Sequence, residues 1–187
     1  MAFATGIFAL EGDPELDLKR QYSVQPILQF LKELNGTDVI FRDIGTAEEL
    51  KHYLTQWTLA KYRKFDIGYF SFHGTPGSLW FPDGRKSPVT LEELGEWLEG
   101  RAQGRIIHFS ACSVMRLDDQ RLKEFRERSG ATAVMGYRTD IDWAESMAFD
   151  TLLFSALRRY QRIGDAENYL DRIAGQLRER LGFRIIR

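Results

Sequence analysis

DIGYFSF, at residues 66–72, is a short and almost continuously apolar run. A run of this length and composition predicts a β-strand that is covered on both faces, as the strands of parallel sheets are. Four further apolar runs predict strands of the same kind, at residues 3–10, 38–44, 105–110 and 132–137. The segments that separate these five strands decide how they are arranged.

Helical features occur in each of those segments and again after the fifth strand. Thr46 and Thr90 each precede a glutamate by three residues, a capping-box pattern that marks the start of a helix. Helical spacing of apolar residues predicts helices at residues 23–34, 46–57, 90–98, 118–129, 142–160 and 165–181. Because strands alternate with helices, we expect an α/β fold with a mainly parallel central sheet of five or six strands, covered by helices on both faces.

One region interrupts the alternation. Residues 78–89 contain the turn sequence Pro82-Asp-Gly84 and predict a small hairpin that lies off the main sheet, near its functional edge. The length of 187 residues is that of one ordinary domain. We therefore expect a single domain at 1–187, with its core in residues 3–160 and a C-terminal helix at 165–181.

Composition and charge exclude several classes of function. Lys and Arg number 26 against 27 Asp and Glu, so no large basic surface is available for nucleic acid. The single cysteine cannot form an intramolecular disulfide, and no Cys/His cluster has zinc spacing. No segment approaches the roughly 20 apolar residues of a membrane helix. We expect a cytoplasmic protein without a metal, a cofactor, a nucleic-acid partner or a membrane partner.

Ligands of open α/β sheets bind beyond the carboxyl ends of the strands, so the residues that follow each strand are the candidates for chemistry. Glu11 and Asp13 follow the first strand, His73 the third, Cys112 the fourth, and Arg138, Asp140 and Asp142 the fifth. If the third and fourth strands are neighbours, their ends lie about 4.8 Å apart. A thiol and an imidazole at those ends have the chemistry of a nucleophile and its proton carrier.

Other interpretations of these two residues stay open at this point. A lone cysteine is more often buried and inert, and a histidine at a strand end is more often a hydrogen-bonded surface residue. Gly74, directly after the histidine, favours the catalytic interpretation, because a residue without Cβ lets a carbonyl group approach backbone N–H donors. Of the other histidines, we expect His108 to be structural and His52 to be exposed.

The run Phe70-Ser-Phe-His73-Gly74 is followed by the predicted hairpin with Asp83-Gly84, by a helix, and by Ile106-Ile-His-Phe-Ser-Ala-Cys112. This order resembles the caspase-like cysteine peptidases over about residues 3–160. The Ser-Ala-Cys ending and the strand Gly130-Ala-Thr-Ala-Val-Met-Gly136 are most similar to the CHAT-type branch. The histidine lies 39 residues before the cysteine, whereas the caspase spacing is about 50.

The resemblance implies a caspase-like three-layer αβα sandwich and a His/Cys dyad that cleaves a protein or peptide substrate. His73 would carry the proton, Cys112 would be the nucleophile, and the backbone N–H groups of Gly74 and Cys112 would form the oxyanion hole. It also implies a regulatory protein partner. This chain has Ser113-Val114 where family members often have glycine two residues after the cysteine. It has the neutral Ser110 where they often have Gln or an acid that lines the P1 pocket.

The loop after the fifth strand is expected to form one wall of the P1 pocket. Asp140 and Asp142 there favour a basic P1 residue, whereas an inward Arg138 would favour an acidic one. Asp142 also fits a helix cap, since Glu145 follows it by three residues.

Three rival classes of protein share part of this pattern. An amidotransferase-type hydrolase has the opposite order of cysteine and histidine, and a phosphate-binding sheet needs a glycine-rich turn that Gly74-Thr-Pro-Gly77 does not supply. A catalytically inactive caspase-like module that acts as a protein-interaction scaffold remains the alternative.

Overall fold

The fold is built on a six-stranded sheet, seen in a computed structural model that describes residues 6–12, 22–81 and 88–187. Its strands are β1 Ile7–Gly12, β2 Val39–Ile44, β3 Ile67–Ser71, β7 Ile106–Ser110, β8 Ala133–Tyr137 and β9 Phe183–Ile186. Their spatial order is β2, β1, β3, β7, β8 and β9. All neighbouring pairs are parallel except β8 with β9. The mainly parallel central sheet is therefore confirmed.

Helices cover both faces of this sheet, as the sequence predicts. One face packs on α2 (Ala47–Trp57), α3 (Leu91–Leu98) and α4 (Asp119–Ser129). The other face packs on α1 (Gln25–Asn35), α5 (Trp143–Arg159) and α6 (Ile163–Arg180). The result is a three-layer mixed α/β arrangement.

Local sequence signals start several of these helices. Thr46 and Thr90 accept hydrogen bonds from the backbone N–H groups of Glu49 and Glu93, and both glutamates return a bond to the cap, so both predicted capping boxes are confirmed. The side chain of Asp118 caps α4 by accepting a hydrogen bond from the backbone N–H of Arg121.

The small sheet beside the main one has three strands, β4 (His73–Thr75), β5 (Ser78–Trp80) and β6 (Val89–Thr90), and all its pairs are antiparallel. This agrees with the predicted hairpin at 78–89 and adds His73–Thr75 to it. The predicted turn at Pro82–Gly84 lies outside the described residues. Because β4 begins two residues after β3 ends, this sheet stands at the carboxyl edge of the main sheet.

Several boundaries differ from the sequence prediction. The first strand runs to Gly12 rather than to residue 10, and the predicted start at residues 3–5 lies outside the described residues. The last helix begins at Ile163, not at residue 165. Strand β9 was not predicted: four residues directly after a helix carry no alternation long enough to identify a strand.

Candidate active site

Three polar residues form a row across the carboxyl ends of the central strands. Glu11 of β1 is in register with Ser71 of β3, and Ser71 is in register with Ser110 of β7. Neighbouring strands lie about 4.8 Å apart, so the three side chains stand side by side on the face that packs on α1 and α5. All three residues are buried. This row, which we call the polar row, is the floor of a cavity.

The predicted dyad residues line that same cavity. His73 and Cys112 come just after β3 and β7, which are adjacent parallel strands. The cavity has a volume of about 280 Å³. His73 is exposed and Cys112, a free thiol, is partly exposed, so both can be reached from solvent. The structure therefore brings together at one opening the two residues that the sequence singles out.

Gly74 lies directly against the cysteine. A Cβ atom on Gly74 would be 2.4 Å from the carbonyl oxygen of Cys112 and 2.5 Å from a methyl carbon of Val114. Backbone cannot yield as a flexible side chain can, so only glycine fits here without displacing the cysteine loop. The close approach places the backbone of Gly74 beside the carbonyl group of Cys112. The resemblance implies that the N–H groups of these two residues form the oxyanion hole.

The turn that carries the cysteine has an unusual backbone. Ser113 has a φ of +58°, a left-handed conformation that a residue with a Cβ adopts at a cost. Two contacts hold it: its N–H donates to Thr139 O at 3.0 Å, and its Oγ donates to Asp140 Oδ1 at 2.8 Å. The loop after β8 therefore fixes the conformation of the cysteine loop.

The three charged residues predicted to form the P1 wall do not line this cavity. Asp140 is exposed and holds Ser113, while Asp142 caps α5 by accepting from the N–H of Glu145 at 3.0 Å. Arg138 is exposed. Ser110 lines the cavity, but none of the three charged residues is among the described residues that do. The loop still supplies a wall, through the apolar side chains of Ile141 and Trp143.

Glu11 is the acid that lines the cavity instead, whereas Asp13, the other acid after the first strand, lies outside the described residues. Only 5% of the surface of Glu11 is exposed, and its carboxylate accepts hydrogen bonds from Ser23 Oγ at 2.6 Å and from Val24 N–H at 2.7 Å. These bonds tie the end of β1 to the start of α1. The sequence already indicates Glu11 as a candidate at this edge, because it directly follows the apolar run of the first strand.

A second polar cluster lies beneath the polar row. Asp150 of α5 is fully buried and accepts four hydrogen bonds, from His108 Nε2 at 2.6 Å, Tyr137 OH at 2.5 Å, Tyr69 OH at 2.8 Å and Ser110 Oγ at 2.8 Å. We call these five residues the Asp150 hub. Ser110 belongs both to the hub and to the floor of the cavity, so it links the two.

The environment of the hub raises the pKa of its two tyrosines. Burial, and then the negative charge of Asp150, hold the pKa of Tyr69 and of Tyr137 well above the ordinary tyrosine value. Both hydroxyls therefore stay protonated as donors to the carboxylate. The prediction that His108 lies inside a strand in a structural position agrees with its full burial in β7.

Residues 6–12, 22–81 and 88–187 contain no group of three or more His, Cys, Asp or Glu side chains arranged to hold a metal ion. None of the helices formed by those residues is long and apolar enough to cross a membrane.

Fold and site together define a mixed α/β protein with a thiol and an imidazole at the carboxyl edge of a mainly parallel sheet. The chain belongs to the family of unknown function DUF6642, whose model matches residues 4–186. No curated protein matches the chain.

Proposed function

We propose that the protein is a cysteine endopeptidase of the caspase-like type, with Cys112 as nucleophile and His73 as proton carrier. The observation that carries the proposal is the convergence of His73, Gly74 and Cys112 at one opening on the carboxyl edge of the sheet. The three-layer order of elements and the reach of the resemblance over residues 3–160 support the caspase-like αβα sandwich.

The proposed reaction has two halves. His73 takes the thiol proton, the sulfur of Cys112 attacks the scissile carbonyl carbon, and the N–H groups of Gly74 and Cys112 stabilise the oxyanion. The C–N bond then breaks as the proton passes from His73 to the leaving amine, which leaves a thioester. Water, deprotonated by His73, attacks the thioester and releases the carboxylic acid, which restores thiol and imidazole.

The surroundings of the cavity favour a substrate that is longer than one side chain. A more open groove of about 780 Å³ lies between α1 and β2, and it shares Tyr22 and Trp143 with the cavity. The walls of this groove mix apolar residues with amides and one lysine, among them Leu28, Gln29 and Phe41. A polypeptide that enters the cavity with one side chain can therefore continue along the protein surface.

The test is alkylation of Cys112 by iodoacetamide at neutral pH, followed by mass spectrometry. A thiol that His73 activates reacts faster in the wild type than in His73→Ala. His52→Ala is the matched control, because His52 is exposed on α2 and does not line the cavity. Equal alkylation rates in wild type and His73→Ala would contradict the proposed dyad and favour the inactive scaffold.

A second measurement follows the reaction itself. The protein is incubated with candidate substrate proteins, beginning with the products of neighbouring genes, and cleavage is detected on gels and by sequencing of new termini. Wild type is expected to cut and Cys112→Ala to be inactive. Cleavage that persists in Cys112→Ala would refute the assignment of the nucleophile.

A further inference from the structure

Two arginines and two tyrosines contact one another where α5 and α6 meet. The guanidinium carbon of Arg159 lies 5.5 Å from the ring centroids of both Tyr160 and Tyr169, and that of Arg172 lies 5.5 Å from the centroid of Tyr169. The centroids of the two rings are themselves 5.5 Å apart. Both arginines are exposed, and both tyrosines are half-buried. We call these four residues the arginine–tyrosine patch.

Two further exposed arginines flank the patch. Arg158 lies in the last turn of α5, and Arg162 is the residue at the N-cap of α6. A cation in the last turn of a helix interacts favourably with the helix dipole, but a cation at the start of a helix does not. Helix stability therefore does not explain the position of Arg162.

These four arginines lack the carboxylate partners that other arginines of the same region have. Arg180 pairs with Glu145 at 2.7 Å, and Arg187 pairs with Glu167 at 3.1 Å. Within residues 6–12, 22–81 and 88–187, no carboxylate forms an ion pair with any of the four, and this includes Asp165 in the first turn of α6. The patch and its flanks therefore form a locally positive surface on a chain whose net charge is -1.

The patch lies at the edge of the sheet opposite the cavity. α5 begins at Trp143, which lines the cavity, and its 17 residues span roughly 25 Å to its end at Arg159. A hydrogen bond from Lys64, and then the charge of Arg158, lower the pKa of Asp38, which directly precedes β2 at the amino edge of the sheet. A molecule bound at the patch therefore leaves the cavity open.

The ring contacts prepare both guanidinium groups for carboxylates. A guanidinium that rests against an aromatic ring keeps N–H groups free at its edge, and these match the two oxygens of a carboxylate. The contact also limits the conformations of the arginine, so less entropy is lost on binding. Single-stranded nucleic acid uses aromatic rings differently, because its bases stack on open faces. Both rings of the patch already have a guanidinium over them, which favours carboxylates as the ligand.

We propose that the arginine–tyrosine patch binds an acidic segment of a partner protein, whose Asp or Glu carboxylates contact Arg159 and Arg172. Tyr169 holds both guanidinium groups in place, and Arg158 and Arg162 extend the positive surface. The inference does not depend on the proposed peptidase activity. It gives a location for the protein partner that the resemblance implies.

The first test compares three probes by fluorescence anisotropy at about 0.15 M salt, where weak long-range attraction is screened. The probes are a labelled hexaglutamate peptide, its hexaglutamine counterpart and a thymidine oligonucleotide of the same charge as hexaglutamate. We expect hexaglutamate to bind about tenfold more tightly than hexaglutamine, as a few exposed ion pairs imply. Equal binding of the two peptides, or tighter binding of the oligonucleotide than of hexaglutamate, would overturn the proposal.

Paired variants then locate the binding surface. Arg159→Gln combined with Arg172→Gln should weaken the binding of hexaglutamate about tenfold, because both proposed carboxylate contacts are lost. Arg180→Gln combined with Arg187→Gln is the matched control, since it changes the net charge equally at exposed arginines that already have partners. An equal loss of affinity in the control would assign binding to net charge and contradict the proposal.

The role of the ring is tested without any change of charge. Tyr169→Leu removes the ring that both guanidinium groups contact and should weaken hexaglutamate binding about threefold, whereas Tyr169→Phe keeps the ring and should bind as the wild type does. Wild-type affinity in Tyr169→Leu would contradict the role of Tyr169 as the positioning residue.

This proposal and the proposed function fail in different measurements. If His73 does not activate Cys112, iodoacetamide alkylation reveals it, while hexaglutamate binding stands. If the patch does not bind carboxylates, the anisotropy titration reveals it whatever the alkylation rate.

Discussion

His73 lies just beyond the end of β3, and His108 lies within the adjacent strand β7, yet their surroundings are opposite. His73 is exposed at the rim of the cavity, with Cys112 lining the same space. His108 is fully buried, bonded to Asp150 at 2.6 Å and stacked on Tyr69 with ring centroids 5.5 Å apart. A histidine that exchanges protons with a substrate must be reachable, whereas one that is locked on a buried carboxylate can only hold structure.

The comparison extends to the regions around the two residues. The edge region is held by one left-handed turn with a backbone bond to Thr139 and a side-chain bond to Asp140, whereas the Asp150 hub is held by four hydrogen bonds to one carboxylate. A buried carboxylate is costly unless it is fully hydrogen-bonded. The hub should therefore contribute more to the free energy of unfolding than the edge, whose residues should determine reactivity. Substitutions in the two regions should therefore differ in their effect on the free energy of unfolding.

The largest expected effect on stability comes from removing His108. His108→Ala takes away one of four donors to a fully buried carboxylate and leaves a cavity, which should lower the free energy of unfolding by about 3 kcal/mol. His73→Ala, at an exposed position, should change it by less than about 0.5 kcal/mol. Urea unfolding of both variants checks this pair. Similar losses in the two variants would contradict the distinction between edge and hub.

Replacing Asp150, the acceptor of the hub, should lower the free energy of unfolding by somewhat less. Asp150→Asn keeps the shape of the side chain but replaces one acceptor oxygen by an amide donor among four groups that donate to it. We expect a loss of about 2 kcal/mol in the free energy of unfolding. Asp142→Asn on the same helix is the control, because asparagine caps a helix about as well as aspartate. A neutral outcome for Asp150→Asn would show that the hub does not depend on the carboxylate.

The raised tyrosine pKa values predict a loss of stability in alkali. Above about pH 10 the unfolded chain releases its tyrosine protons, whereas the folded protein retains those of Tyr69 and Tyr137, so rising pH favours unfolding. The contribution of these two tyrosines to stability is fully present below the tyrosine pKa of the unfolded state. It should then fall by up to about 1.4 kcal/mol per pH unit for each of the two residues.

Urea unfolding between pH 9 and pH 11 measures this slope. Tyr69→Phe and Tyr137→Phe should each make it shallower, and the double variant should add the two effects. Phe154→Leu is the control, because Phe154 packs edge-on against Tyr69 at 4.9 Å but does not titrate. A slope that the phenylalanine variants leave unchanged would show that the two buried hydroxyls do not cause the loss of stability.

Much of the fold could be predicted from the sequence because its signals are local. Apolar runs of strand length and the two capping boxes, Thr46-Ala-Glu-Glu49 and Thr90-Leu-Glu-Glu93, depend only on neighbouring residues. The positions of His73 and Cys112 at one edge followed from a rule about where parallel strands end. Strand β9 was missed because its pairing with β8 comes from distant parts of the chain.

The composition of the cavity could not be predicted in the same way. The polar row depends on the register of β1, β3 and β7, which no local pattern reports. Asp150 offered a clue as the one acid within the apolar stretch 146–157, but its partners come from β3, β7 and β8. The charged residues chosen after the fifth strand have partners elsewhere, since Asp140 bonds Ser113 and Asp142 caps a helix.

The smallest expected effect concerns backbone strain at Ser113, in the turn that carries Cys112. Ser113→Ala loses the bond to Asp140 but keeps a Cβ at a φ of +58°, whereas Ser113→Gly loses the same bond and removes the strain. We expect the glycine variant to be about 1 kcal/mol more stable than the alanine variant. Both keep the backbone bond to Thr139, so the difference reports the relief of left-handed strain less the larger conformational entropy of glycine in the unfolded chain. Thermal unfolding of the two variants measures this difference, and an alanine variant at least as stable as the glycine variant would contradict the predicted relief of strain.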